Sequence, residues 1–437
     1  MKKMLAAWVI LALAGGGGLM CSSSRGNAVD FSPRISILPK SAKVFAGNSL
    51  QFHTTLIGEL GPSNVRWSVV GPGSIDSNGL YRAVDVPTSA AIVANAGNGI
   101  ADSASVSIVS PPLHNEPLVL STCYSDGTVN VNSARNFALS GALSVGGRAA
   151  GIAVDSSSKR AVFAVESQIV AIDLRSMHWR VSAPLPGVRF SEIARLGWGY
   201  VAATDNNADA GHPGVRIYRM NPLGVPVLVS SVIAGETPEG IAASPDGRGF
   251  YVSNINGNSL MRFAIDATGR TTLLATAKTA ARPFGVAVDP LRHVVFVADN
   301  DTSVVNGARA RPGLERFDSR SLRRIGGMIS TGSKSSLPLG VAVDPTTARL
   351  FVTNEGAGNV AVFALPQMRR VATLPTGLTP WLPTFDPLTH RLYLPNARAD
   401  SVSVYNTRTL RSVVPDFATC SYPTSVAVFD AASPGGK

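Results

Sequence analysis

The sequence predicts an all-β chain, a small β-sandwich followed by a seven-bladed β-propeller, and three observations carry that prediction. A six-residue stretch recurs as Gly240-Ile-Ala-Ala-Ser-Pro245, Gly285-Val-Ala-Val-Asp-Pro290 and Gly340-Val-Ala-Val-Asp-Pro345, with weaker copies at Gly151–Ser156, Leu382–Pro387 and Thr424–Phe429. Units of roughly 40–55 residues built only of short strands and turns are how propeller blades read in sequence. Between the copies, apolar and polar residues alternate in short runs bounded by Gly, Pro, Asn and Ser, and long amphipathic helical patterns are missing. Charged residues make up only 15% of the 437, which suits an extracytoplasmic all-β protein of more than one domain.

The net charge of +11 is spread as single arginines, and the densest stretch, Arg309 to Arg324, also holds Glu315 and Asp318. No Lys/Arg run with interleaved aromatics occurs, so nucleic acid is not an expected partner. At the start, Lys2 and Lys3 precede an apolar run, Met4 to Ala14, too short to span a bilayer. Gly15 to Gly18 and then Leu19-Met20-Cys21-Ser22 follow. This stretch resembles a bacterial lipoprotein signal, which implies lipidation of Cys21 and attachment to a membrane through that lipid. It departs from the pattern at Gly18 and Met20, where Leu and a small residue are the rule. Simple secretion, with cleavage near Gly26-Asn27-Ala28, is the alternative. Both place the chain in the cell envelope or outside it, with residues 1–21 as signal and 22–30 as linker.

From 31 to 110, short runs at Arg34–Leu38, Leu50–Leu56, Val65–Val70, Ala91–Ala94 and Ala104–Val109 predict an immunoglobulin-like sandwich. Trp67 and Tyr81 fall at core positions. The stretch Gly73-Ser74-Ile75-Asp76-Ser77-Asn78-Gly79-Leu80-Tyr81 is similar to one found in bacterial Ig-like domains, and Asn78-Gly79 supplies the positive φ for its turn. Such modules imply a spacer or stalk. Residues 111–116 are then a linker, and 117–437 the propeller.

Within the propeller, an apolar inner strand leads to an Asp-Pro turn and a second strand, as in Gly285–Val288, Asp289-Pro290 and Val294–Ala298. Inner strands near Gly151, Ser191, Gly240, Gly285, Gly340, Leu382 and Ser425 give seven blades, of which the second, near Ser191, is the least regular. Phe351-Val352-Thr353-Asn354 and Tyr251-Val252-Ser253-Asn254 resemble the YVTN-type bacterial propeller repeat over about 115–437. Relatives of that type include 6-phosphogluconolactonase-like and surface-layer proteins. The repeat itself implies structure and no catalytic group. Its ring is expected to close by completing one blade from both termini, which places Cys123 beside Cys420. In an oxidising compartment the two are expected to form a disulfide, the alternative being two buried free thiols.

Histidines offer little chemistry. His293 and His390 share a register after Asp-Pro-Leu and read as turn residues, leaving His212 in the loop Asp205–Gly214 as the histidine free to act. No His-x-x-x-His or Cys-x-x-Cys occurs, so no metal and no cofactor is expected. Inter-blade connections on one face would present Arg148, Arg189, Arg282, Phe284, Lys334, Trp381 and Tyr422 around the channel mouth as ligand-binding candidates. Glu192 and Glu239 are the candidate catalytic carboxylates, with Arg282 as the nearby cation. The favoured expectation is a non-catalytic envelope protein, a monomer presenting its propeller to a protein or glycan partner. The alternative is a lactonase-like hydrolase acting on a small sugar lactone at the channel mouth.

Overall fold

Each repeat folds as an antiparallel meander whose innermost strand is the Gly-x-Ala-x-Asp stretch or its weaker copy. The computed structural model describes residues 33–57, 65–300, 304–305, 308–309 and 312–430. One four-stranded sheet holds Ala149–Asp155, Arg160–Val165, Gln168–Asp173 and Trp179–Val181; the next holds Phe190–Arg195, Tyr200–Asp205, Pro213–Met220 and Pro226–Ile233. Sheets of the same order begin with Pro238–Ala243, Pro338–Asp344 and Thr384–Asp386, and the sheet beginning with Pro283–Asp289 has three strands. The architecture is all-β with propeller-like sheets.

Burial runs from the inner strands outward. Pro338–Asp344 is buried along its whole length, whereas the outermost strand of that sheet, Arg369–Pro375, is largely exposed. Where the repeat carries its Asp, that residue builds the first hairpin: Asp344 Oδ1 accepts the backbone N–H of Thr346 at 3.0 Å and of Thr347 at 3.1 Å. The hairpin then ends on a left-handed residue, His293 at φ 55° and His390 at φ 53°, so both histidines are turn residues. The repeat glycine allows neighbouring inner strands to meet. A Cβ on Gly340 would stand 2.8 Å from Trp381 O, and one on Gly151 would stand 2.7 Å from Ser191 O.

The ring closes between its ends. Pro423–Phe429 pairs antiparallel with Leu118–Cys123, placing Leu118 opposite Phe429, and Thr128–Ser133 and Leu139–Ser144 complete that sheet. A disulfide joins Cys123 to Cys420 with their Cα atoms 5.6 Å apart, spanning 297 residues of chain.

The N-terminal strands do not stand apart from the ring. Ser41–Phe45 pairs with Ile100–Val109 on one side and meets Leu139–Ser144 on the other through Val44 and Ala142, so one eight-stranded sheet runs from these strands into the ring. Phe45 is fully buried within the ring's own apolar cluster, beside Leu118 and Leu143. Gln51 donates its N–H to Ser144 Oγ at 2.9 Å. The stalk picture, with a linker at 111–116, misses this docking because one β-bridge and one buried phenyl ring leave no periodic trace. Inside the N-terminal unit, Tyr81 is buried as expected and Trp67 packs half-buried against the same core. The run Leu50–Leu56 breaks at Phe52 into Ser49–Gln51 and His53–Ile57. Thr88–Gly97 and Ile100–Val109 are longer than predicted, joined by a turn with Asn98 at φ 52° and Gly99 at φ 77°.

Candidate active site

One register of the repeat supplies six residues of the site. The residue just before the repeat glycine comes to the ring mouth, and Ala150, Ser191, Glu239, Phe284, Trp381 and Thr424, all in that register, line a cavity of about 460 Å³. A hydroxyl on the second strand of the preceding sheet sets the backbone of three of them. Thr204 Oγ1 accepts Glu192 N–H at 3.0 Å and donates to Glu239 O at 2.8 Å. Thr353 Oγ1 accepts Gly340 N–H and donates to Trp381 O, both at 2.8 Å. Ser253 Oγ does the same for Gly240 and Phe284. These hydroxyls thus fix the strands on which Glu239, Phe284 and Trp381 stand.

Glu192 occupies the glycine position of the second repeat. It keeps the backbone bond to Thr204 but carries a carboxylate where Gly151, Gly240, Gly285 and Gly340 carry a hydrogen. Its side chain borders both the mouth cavity and the central channel below. Ser425 Oγ, from the ring-closing sheet, lies 3.5 Å from Glu192 Oε1. Burial pushes the Glu192 carboxyl well above the ordinary carboxylate range, and the neighbouring Glu239 pushes it further. Although a strip of Glu192 remains exposed toward the cavity, its depth in the ring decides that direction.

Glu239 is 7% exposed. It accepts a hydrogen bond from Ser191 Oγ, and Asn206 Nδ2 donates to its other oxygen at 3.3 Å. Burial raises this carboxyl too, with Ser191, Asn206 and the Arg189 charge acting in the opposite sense. Arg189 donates through Nη2 to the Tyr124 hydroxyl, and its backbone N–H donates to Asp205 Oδ1 at 2.9 Å. Facing this polar wall is an aromatic one. Phe284 and Trp381 meet edge to face at 6.0 Å between centroids, Trp381 and Tyr422 at 6.1 Å, and Tyr124 lies 6.4 Å from Tyr422.

Arg189, Glu192, Glu239, Phe284, Trp381 and Tyr422 therefore converge on one cavity. Four other candidates do not line it. Arg148 stands outside, its guanidinium 5.6 Å from the Tyr124 ring centroid and 4.0 Å from Glu166. Arg282 acts on Glu355 instead, so the cation beside the carboxylates is Arg189. Lys334 lines a different hollow with Pro312 and Met328, and His212 is exposed and paired with Asp209. Cys21 and the signal lie outside the described residues. Among the described residues no group of three or more His, Cys, Asp or Glu side chains could hold a metal ion. Sequence reasoning missed Tyr124, Ser191 and Asn206. The available signal was the second repeat's departure from glycine, which marks the place where these neighbours gather.

Comparison with known proteins bears on the same region. A family described as SMP-30/gluconolactonase/LRE-like matches residues 126–315. No curated protein matches the chain. The periplasmic gluconolactonase of Pseudomonas aeruginosa is similar in structure at 12% identity and a TM-score of 0.58, over 72% of this chain and 99% of that one. A proposed 6-phosphogluconolactonase from Bacteroides fragilis is similar at 11% identity and a TM-score of 0.60, over 72% and 98%. A protein from Lactobacillus plantarum is similar at 15% identity and a TM-score of 0.61, over 72% and 99%. At these identities the likeness shows the fold, which resembles a gluconolactonase-type β-propeller. The expectation of a non-catalytic scaffold is corrected by these matches, and so is the expectation that the chain is no enzyme.

Proposed function

We propose that this chain is a hydrolase of small lactones, acting at the channel mouth. The observation that carries this reading is the buried pair Glu192 and Glu239 beside Arg189, on the wall of a cavity large enough for an organic substrate. Two carboxyls held close cannot both ionise readily, so one keeps a proton and the other does not. Glu239, which receives two hydrogen bonds and faces Arg189, is the ionised member and the general base. Glu192 keeps the proton and is the general acid. Water attacks the lactone carbonyl carbon while Glu239 takes a proton from it. The oxyanion that forms faces the Arg189 guanidinium. As the ring C–O bond breaks, the departing oxygen takes the proton of Glu192, and a hydroxy acid leaves.

The finer architecture belongs to this reading as well. The ring is of the seven-bladed YVTN type over 117–437, and residues 31–110 are a bacterial Ig-like module docked on its closing blade, with 111–116 between them. The chain is exported to the cell envelope and anchored by a lipid on Cys21.

Hydrolysis of simple lactones by the purified chain tests the proposal. Glu192→Gln and Glu239→Gln should each lower kcat by about 10²- to 10⁴-fold, the usual worth of a general acid or base. Absence of turnover for every lactone, or turnover untouched in both variants, would sink it.

A further inference from the structure

The cavity wall also restricts which lactone fits, an inference that rests on the hydrolase reading above. A polyhydroxylated ring needs many unengaged donors and acceptors, and several of the polar groups here are already paired within the protein. Ser191 Oγ and Asn206 Nδ2 are both given to Glu239. Arg189 Nη2 is given to the Tyr124 hydroxyl. Thr424 Oγ1 turns back toward Ala150 O at 3.5 Å. Prying these apart for sugar hydroxyls would leave buried polar atoms without partners. A phosphate asks for several cations, and Arg189 is the one Lys or Arg among the described residues of the wall.

What remains open is the aromatic side, where Phe284, Trp381, Tyr422 and Tyr124 form a continuous arc.

We propose that the substrate is an uncharged lactone bearing an apolar alkyl or aryl substituent. The ester ring lies against Glu192, Glu239 and Arg189, and the substituent lies along the arc of Phe284, Trp381 and Tyr422.

The purified full-length chain should be assayed with a phenyl-substituted δ-valerolactone and with δ-decalactone, against glucono-δ-lactone and its 6-phosphate. The apolar lactones should show kcat/KM at least about 10-fold higher, the worth of one well-buried hydrocarbon group. Trp381→Ala should lower kcat/KM for the phenyl lactone about 10-fold more than for gluconolactone, and Trp381→Phe should restore most of that difference. Equal or better turnover of either sugar lactone overturns the substrate class and leaves the hydrolase reading standing. Calorimetry with the phenyl-substituted δ-valerolactam and with gluconolactam, the unhydrolysed amides, separates the two ideas. If no lactone is turned over, the hydrolase reading fails. In that case tighter binding of the phenyl lactam still supports the apolar site, and binding no tighter than gluconolactam overturns it.

Discussion

The inner strands Phe190–Arg195 and Pro338–Asp344 occupy the same place in their sheets and are held by the same device, a threonine hydroxyl that accepts one backbone N–H and donates to the next sheet's carbonyl. They differ at the position that hydroxyl holds. Gly340 lets the strand press on Trp381 and Pro383, whereas Glu192 places a carboxyl between the mouth cavity and the channel. In one strand the position serves packing; in the other it sets a carboxyl at the cavity wall. A repeat protein can host a reactive group where one copy gives up its packing residue, because the remaining copies hold the ring in shape.

The largest effect should come from restoring the repeat. Glu192→Gly gives the second strand the residue of its neighbours, so the ring should fold while lactone turnover falls about 10²- to 10⁴-fold. Retained turnover in a folded Glu192→Gly protein would show that the departure carries no chemistry. Next in size is the closure of the ring, where chain continuity is absent and the Cys123–Cys420 bridge substitutes for it. Replacing both cysteines with serine should cost roughly 2–5 kcal/mol in urea unfolding, since a long loop is released in the unfolded chain. A change below about 0.5 kcal/mol would mean that strand pairing alone closes the ring.

A smaller effect is expected at the packing position. Gly340→Ala puts a methyl group 2.8 Å from Trp381 O, so a backbone must move. The cost should be about 1–3 kcal/mol in the same unfolding measurement, as for other overpacked sites. Stability unchanged in Gly340→Ala would break the contrast between the two strands, because glycine would then serve nothing there.

Much of this was legible before any coordinates. The inner strands, the Asp-Pro turns, the placing of His293 and His390 in turns and the pairing of Cys123 with Cys420 all follow from short-range chemistry or from the repeat's register. Glu192, Glu239, Trp381 and Tyr422 could be named because the register says which residues meet at the mouth. Arg282 could not be told from Arg189 in that way. Both precede inner strands, and only the surrounding charges, Glu355 for one and Glu239 for the other, decide which joins the carboxylates. Asn206 and Tyr124 were hidden for a similar reason, since each reaches the site across sheets. The docking of Phe45 into the ring was hidden because a single buried side chain has no period.

The smallest predicted effect is on stability, and its sign is the informative part. Burial and Glu239 raise the folded-state pKa of Glu192, whereas in the unfolded chain a glutamate titrates near its ordinary value of about 4.3. Below that value Glu192 is protonated in both states and costs nothing. As pH rises past it, the unfolded chain releases the proton while the folded one retains it, so stability falls until the raised folded pKa is reached. Glu192→Gln cannot titrate and escapes this loss. Its melting temperature should therefore exceed that of the native chain at about pH 7.5, and the gap should shrink at about pH 4. The same substitution should lower activity, and a residue that destabilises the ring while supporting turnover is the signature expected of a catalytic acid. A pH-independent gap, or a variant that loses ground as pH rises, would mean that Glu192 is an ordinary ionised carboxylate and that the acid must be sought elsewhere on the cavity wall.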